Sequence, residues 1–230
     1  MAAAENHLIE LLSHKDRQRL RAHCEPVKLV LSEVLCKPNT PTRHVYFPIE
    51  GFISLVMMTD GNSGLELGMV GREGTLGAHL ALGVVTTPLQ AVVQGEGVAL
   101  RIATADFRRE LVANPALQRI INRYLYVLMA QLAESAACLR YLQIGPRVAR
   151  WLLMSQDRSG SATFPVTHQF LAYMLGVRRV GVTTAAGNLQ RSGLIEYRRG
   201  IMTVLDRKGL KSAACGCYAA DRQTYTKLVG

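Results

Sequence analysis

VTHQFLAYMLGVRRVGVTTAAGNLQRSGLIEYRRGIMTVLD, residues 166–206, has the spacing of two short helices followed by a hairpin. Thr167 can N-cap a first helix whose apolar side includes Phe170, Leu171 and Leu175, and Gly176 ends it as a turn residue. A second helix is expected from about Arg178 to Arg191. In it Val182, Ala185, Ala186 and Leu189 fall at i, i+3, i+4 and i+7, one buried face. The opposite face carries Val180, Thr184, Gly187 and Arg191, flanked by Arg179, Thr183 and Asn188. Leu194–Tyr197, the Arg198-Arg199-Gly200 turn and Ile201–Leu205 then read as a β-hairpin. Helix, glycine turn, helix and hairpin in this order predict a winged helix-turn-helix, a unit that lays its second helix in the DNA major groove.

Taken singly, an amphipathic helix is common and an Arg178-Arg179 pair is usually solvated surface. The charge distribution adds weight. Of the formal +10, little lies in residues 1–144, with fourteen basic and thirteen acidic side chains; residues 145–230 hold thirteen and four. A charge serving solubility spreads evenly, whereas a concentrated one suits a polyanion. In the expected geometry Arg179 reaches guanine O6/N7, while Val180, Thr183 and Thr184 face thymine methyls or base edges. Thr167, His168, Gln169, Arg198 and Arg199 are candidate phosphate contacts, and Arg178 and Arg191 stand at the two ends of the same helix.

Upstream, Gly145-Pro146 interrupts the helical pattern, marks a domain boundary, and is followed by another helix over 147–157. From Pro115 to about Leu142 a single helix is expected, about 28 residues and roughly 42 Å long. That exceeds what one face of a small barrel can cover. Leu117, Ile121, Leu125, Leu128, Leu132, Ala136 and Leu139 recur at spacings of three and four, so a coiled-coil-like homodimer seam is expected; burial inside one monomeric core is the alternative. Between Pro26 and Ile102 the texture is short β-type runs broken by Gly, Pro and Asn: 27–30, 44–47, 52–57, 65–70, 91–93 and 98–102. These suggest a small barrel or sandwich. A helix over 7–24 precedes it and one over 104–114 follows. The expected class is α+β, in three parts: 1–114 a β-roll sensor-like domain, 115–143 the long dimerisation helix and hinge, 144–230 the winged helix-turn-helix domain.

The composition, 49% hydrophobic and 19% charged over 230 residues, is globular. No apolar run approaches the roughly 18 residues that span a bilayer. The first thirty residues mix acids, bases and His without a signal-peptide core, so a cytoplasmic chain with no membrane partner is expected. Five scattered cysteines then default to reduced thiols. Cys215-x-Cys217 lacks zinc-knuckle spacing, which leaves two small residues near the C-terminus, or a metal or redox role, as its readings. No two His stand at i, i+4, and no metal or cofactor is assigned. GxSxG, HExxH and P-loop patterns are missing, so no enzyme activity is expected.

The chain resembles the Crp–Fnr family of bacterial transcription regulators over nearly its whole length. HVYFPIEGFISLV is similar to the early β-roll, VGREGTLG and AVVQG to the region of the phosphate-binding cassette, and GPRVARWLL with residues 166–195 to the hinge and DNA-binding unit. The resemblance implies an effector-sensing β-roll, a dimer helix, two recognition helices on a palindromic double-stranded DNA site, and contact with RNA polymerase. Cyclic-AMP-binding members use a Gly-Glu pair for ribose and an Arg-Ser or Arg-Thr pair for phosphate. Here Gly74, Thr75, Leu76 and Gly77 stand at the first and Leu89 and Gln90 at the second, while Leu132 and Ala133 fall where such members present polar groups. The carboxylate and the guanidinium are both missing, Arg72 and Glu73 being out of register. The resemblance therefore implies an unknown effector, or none, and not cyclic AMP. Arg179 matches the family's base-reading Arg; Val180 and Thr184 replace its usual Glu and second Arg, so the half-site should differ. The competing reading is a cyclic-nucleotide or other small-ligand-binding module that works mainly through protein contacts.

Overall fold

The computed structural model describes residues 5–59 and 64–230, an α+β chain. Two short helices come first, α1 (His7–Glu10) and α2 (His14–Ala22). The single helix expected over 7–24 is therefore broken. Asn6 and Ser13 each accept a bond from a backbone N–H with their side chains, so each starts its own helix. Seven strands follow: β1 (Cys24–Leu29), β2 (Val34–Cys36), β3 (His44–Pro48), β4 (Phe52–Met58), β5 (Gly64–Val70), β6 (Leu89–Gly95) and β7 (Gly97–Ala103). They form two antiparallel sheets, β1-β7-β3 and β2-β6-β4-β5. Ile53, Val70, Val93 and Ala99 fill the space between them.

Next come α3 (Thr104–Ala113) and α4 (Pro115–Tyr141). The Asn114 side chain accepts from the N–H groups of Ala116 and Leu117, and Pro115 occupies the first helical position, where a missing N–H costs nothing. The inner face of α4 is sealed against the roll. Leu117, Ile121, Tyr124 and Val127 pack with Phe47, Phe107 and the α1 residues Leu8 and Ile9.

This corrects the expected seam. Leu117 and Ile121 are fully buried in their own protomer, and Leu128 packs against the same core, because α4 must cover the roll before it can meet anything else. Leu125 is likewise half-buried against that core, with part of its side chain left accessible, and Leu132 and Leu139 are exposed. Met129 is 66% exposed and Ala136 lies in solvent, so the outward apolar line is Leu125, Met129, Leu132, Ala136 and Leu139.

Leu142 is extended (φ −108°, ψ 146°) and ends α4; Gln143 precedes α5 (Ile144–Ser159). Gly145 and Pro146 thus lie inside the first turn of α5, where N–H groups have no intrahelical partner, and the break falls at 142–143. Then follow β8 (Thr163–Pro165), α6 (His168–Leu175), α7 (Arg179–Arg191), β9 (Ile195–Arg198), β10 (Ile201–Val204), α8 (Arg207–Ala213) and α9 (Cys217–Leu228). Trp151, Leu152, Leu171, Val182, Ala186 and Met202 form their core, and Phe52 and Met69 of the roll join it. Tyr173 of α6 lies on Gly64, where a Cβ would come within 2.2 Å of its hydroxyl, and that hydroxyl donates to Met58 Sδ at 3.4 Å. At the other end of the contact Arg158 of α5 pairs with Glu73 at 2.8 Å.

Candidate nucleic-acid interface

The two central helices have the expected origins. Thr167 Oγ1 accepts from Phe170 N at 3.1 Å, and Gly176 turns the chain in the left-handed region (φ 62°). Arg147 of α5 donates to the Leu175 carbonyl at the end of α6. On α7 the whole predicted inner face, Val182, Ala185, Ala186 and Leu189, is buried. Its first turn approaches α5 closely, a Cβ at Gly181 falling 2.5 Å from Ile144 Cδ1.

The outer face of α7 presents Arg179, Val180, Thr183, Thr184, Gly187, Asn188 and Arg191 to solvent, with Arg178 exposed just before the helix. Val180 is 69% exposed. Arg191 is tied to the Asn188 side chain one turn back. In the hairpin, Arg198 pairs with Ile201 across the two residues Arg199 (φ 51°) and Gly200 (φ 81°). Two positive φ values in a two-residue loop make a type I′ turn, whose twist matches the strands. The turn projects Arg198 and Arg199 into solvent. Among the described residues no carboxylate pairs with Arg178, Arg179, Arg198 or Arg199. Four unpaired guanidinium groups around a helix with a polar outer face form a surface suited to phosphate oxygens.

Two candidates have other work. His168 was expected at the phosphates, but its Nδ1 bonds Thr183 Oγ1 at 3.1 Å and its ring stacks on Tyr197, centroids 4.1 Å apart. Burial, and then the Arg179 charge, hold its pKa below the ordinary value. A neutral His168 therefore ties α6, α7 and β9 together, and Thr183 is engaged by the same bond. Thr167 serves as the cap of α6 and remains exposed, as does Gln169. Tyr197 was not singled out from the sequence, where nothing but its place in the hairpin marked it.

The expected effector residues lie on three elements. Thr75 is buried and its hydroxyl donates to the Tyr46 carbonyl at 2.9 Å. Leu76 bridges Tyr46, and Gly77 (φ 100°) precedes a short 3-10 helix, Ala78–Leu82. At Gly74 a Cβ would come within 2.1 Å of the Tyr124 hydroxyl, so α4 itself closes over this loop. Leu89 and Gln90 are half-buried on β6 opposite Met57 and Val56, and Leu132 points away on the outer side of α4. The nearby charges are occupied as well. Arg72 bonds the Glu5 carbonyl and the Glu10 carboxylate, each at 2.5 Å, and Glu73 holds Arg158.

The cysteine expectation needs a second correction. Packing of α9 along α4 brings Cys217 to Cys138 as a disulfide, with Cys215 Sγ 3.6 Å from Cys138 Sγ. Cys138 is 77 and 79 residues from Cys215 and Cys217, so no local spacing encodes its meeting with that pair.

Residues 146–213 match the Crp-like helix-turn-helix domain. The transcriptional regulator SdrP of Thermus thermophilus is 25% identical over 201 residues, 83% of this chain and 94% of that protein. Among solved structures, FixK2 from Bradyrhizobium japonicum is similar with a TM-score of 0.70 at 12% identity, covering 84% of this chain and 98% of that one. The c-di-GMP responsive global regulator CLP of Xanthomonas campestris gives a TM-score of 0.67 at 19% identity, covering 84% and 100%.

Proposed function

We propose that this chain, whose residues 146–213 match the Crp-like helix-turn-helix domain and which is similar to a transcriptional regulator over most of its length, is a Crp–Fnr-type regulator acting as a cytoplasmic homodimer, without catalytic activity, on a two-fold symmetric DNA site. The observation that carries this reading is the outer face of α7, exposed and largely polar, beside an arginine-tipped wing. Arg179 reads a guanine in each half-site; Val180 and Thr184 meet thymine methyls or base edges; Arg198 and Arg199 neutralise phosphates. The dimer forms along Leu125, Met129, Leu132, Ala136 and Leu139, whose 4-3-4-3 spacing is the heptad rhythm of a two-helix seam. By family likeness, the DNA-bound dimer contacts RNA polymerase. The domains proposed are 1–114, 115–143 and 144–230.

Cyclic AMP is not the effector in this reading. Its phosphate needs a charge-assisted donor and its ribose a strong acceptor; Leu89, Gln90 and the already engaged Thr75 supply neither. Losing both anchors costs at least about 3 kcal/mol, more than a hundredfold in affinity. Gel-shift against genomic fragments, with sedimentation of the free protein, tests the whole reading. Specific retardation by a dimer is expected. A monomer, or equal affinity for all fragments, defeats it. Calorimetry with cyclic AMP is expected to show no micromolar binding, and gel-shift no change when it is added.

A further inference from the structure

Cys138, Cys215 and Cys217 place their sulfurs within 4.8 Å of one another at the end of α4 and the start of α9. Cys138 and Cys215 are buried, and Cys217 keeps a path to solvent. Three sulfurs bound to one ion at about 2.3 Å lie roughly 3.8–4.0 Å from each other, close to the 3.6 Å between Cys138 and Cys215. The backbone points the same way. The Cα atoms of Cys138 and Cys217 are 7.3 Å apart, wider than the roughly 4.4–6.8 Å usual across a disulfide, so an ion between the sulfurs suits this spacing better than a direct bond.

We propose that the reduced cluster is a binding site for a thiophilic d10 cation, Zn2+ or Cu+, held by the three thiolates of Cys138, Cys215 and Cys217. Thiolates are the soft donors that select these ions. Part of the negative charge of three thiolates is met by Arg147 beside Cys215, while the nearby Arg150 is engaged by Asp221 at 2.6 Å and by Ser135. Loading begins with a thiol reductant. It delivers two electrons and two protons, opening the Cys138–Cys217 disulfide to two thiols while it becomes a disulfide itself. The ion then displaces the thiol protons as it binds. The oxidised and metal-bound forms exclude each other, because the disulfide removes two of the three donors. Either form fastens the end of α4 to the segment after the DNA-binding unit.

The test uses the full-length protein, reduced with dithiothreitol, freed of the reductant without air, and dialysed separately against Zn2+ and a chelator-buffered Cu+. Metal content per chain is read by mass spectrometry. About one equivalent of at least one ion is expected for wild type and for Cys24→Ser, and less than a tenth of that for Cys215→Ser and Cys217→Ser. The arm that loads identifies the ion. Circular dichroism and melting of both variants keep folding separate from binding. Since Cys215 takes no part in the disulfide, stoichiometric loading of folded Cys215→Ser overturns the proposal, as does failure of reduced wild type to load either ion. Should Cys215→Ser not fold, retained loading by folded Cys217→Ser overturns it equally.

Discussion

Arg179 and Arg199 both carry an exposed charge, but they differ in what they face. Arg179 lies exposed on the first turn of α7, and in the proposed docking it meets base edges, so Arg179→Ala should lose about 1–3 kcal/mol of specific binding and relax preference at one base pair per half-site. Arg199 sits at the wing tip. Its replacement by Ala should weaken all sequences alike and lower the salt slope by about one unit per half-site. Titrations on specific and random DNA at several salt concentrations separate the two, and equal losses for Arg179→Ala on both DNAs would remove it from base readout. His168 supplies a pH signature. Its folded-state pKa is depressed, chiefly by burial, so the neutral ring contributes stability above about 6.5 that is lost as pH falls through the lower folded value. His168→Phe keeps an aromatic ring for Tyr197 and cannot titrate. Urea midpoints at pH 7.5 and 5.5 should therefore diverge less in the variant; an unchanged difference would place the pH dependence elsewhere.

The long helix α4 divides its residues between two tasks, and substitutions should expose the division. Met129→Asp or Leu132→Asp puts a charge on the proposed seam and should leave a folded monomer with poor DNA binding. Leu117→Asp buries an unpaired carboxylate in the protomer's own core and should cost several kcal/mol, enough to abolish folding. Sedimentation and melting distinguish these outcomes, and a dimer that survives both seam substitutions moves the interface off this face. The length, start and end of α4 were legible from Pro115 and the unbroken apolar pattern. Its rotation was not, since two apolar faces overlap on one helix and their spacings alone do not say which one the roll takes. The α7 face was legible because only one side of it is apolar. Short β2 and β8 escaped notice, three residues each being too few to set a period. Tyr124 over Gly74 and the three gathered cysteines are matters of tertiary packing, which no local pattern records.

Across the whole molecule, the roll and the DNA-binding unit meet through Gly64, Phe52 and the Arg158–Glu73 pair, and one titratable group lies close by. Ser54 donates to Glu66 at 2.6 Å, and burial of the carboxyl group pushes its pKa up to about 7, although part of the residue stays accessible. A raised carboxyl pKa favours the protonated fold. That stability is complete below about 4.5 and is lost as pH rises through 7. Glu66→Gln should flatten this decline and gain on the order of 2 kcal/mol at pH 8, after allowance for solvent screening, as read from urea melts at pH 5 and 8. A variant no more stable than wild type at pH 8 would show that the carboxylate is solvated there. The joint at Leu142–Gln143 has a further consequence. It is two extended residues between a 27-residue helix and a 16-residue one, and the 16-residue helix is a lever arm of about 24 Å. A 10° swing at the joint sweeps its far end by about 4 Å. In the two-fold dimer proposed above, the symmetry-related arm moves by the same amount, so the two far ends shift by up to about 8 Å relative to each other. The Arg158–Glu73 pair clamps that far end to the roll, so the arm can swing only as far as this one ion pair lets go.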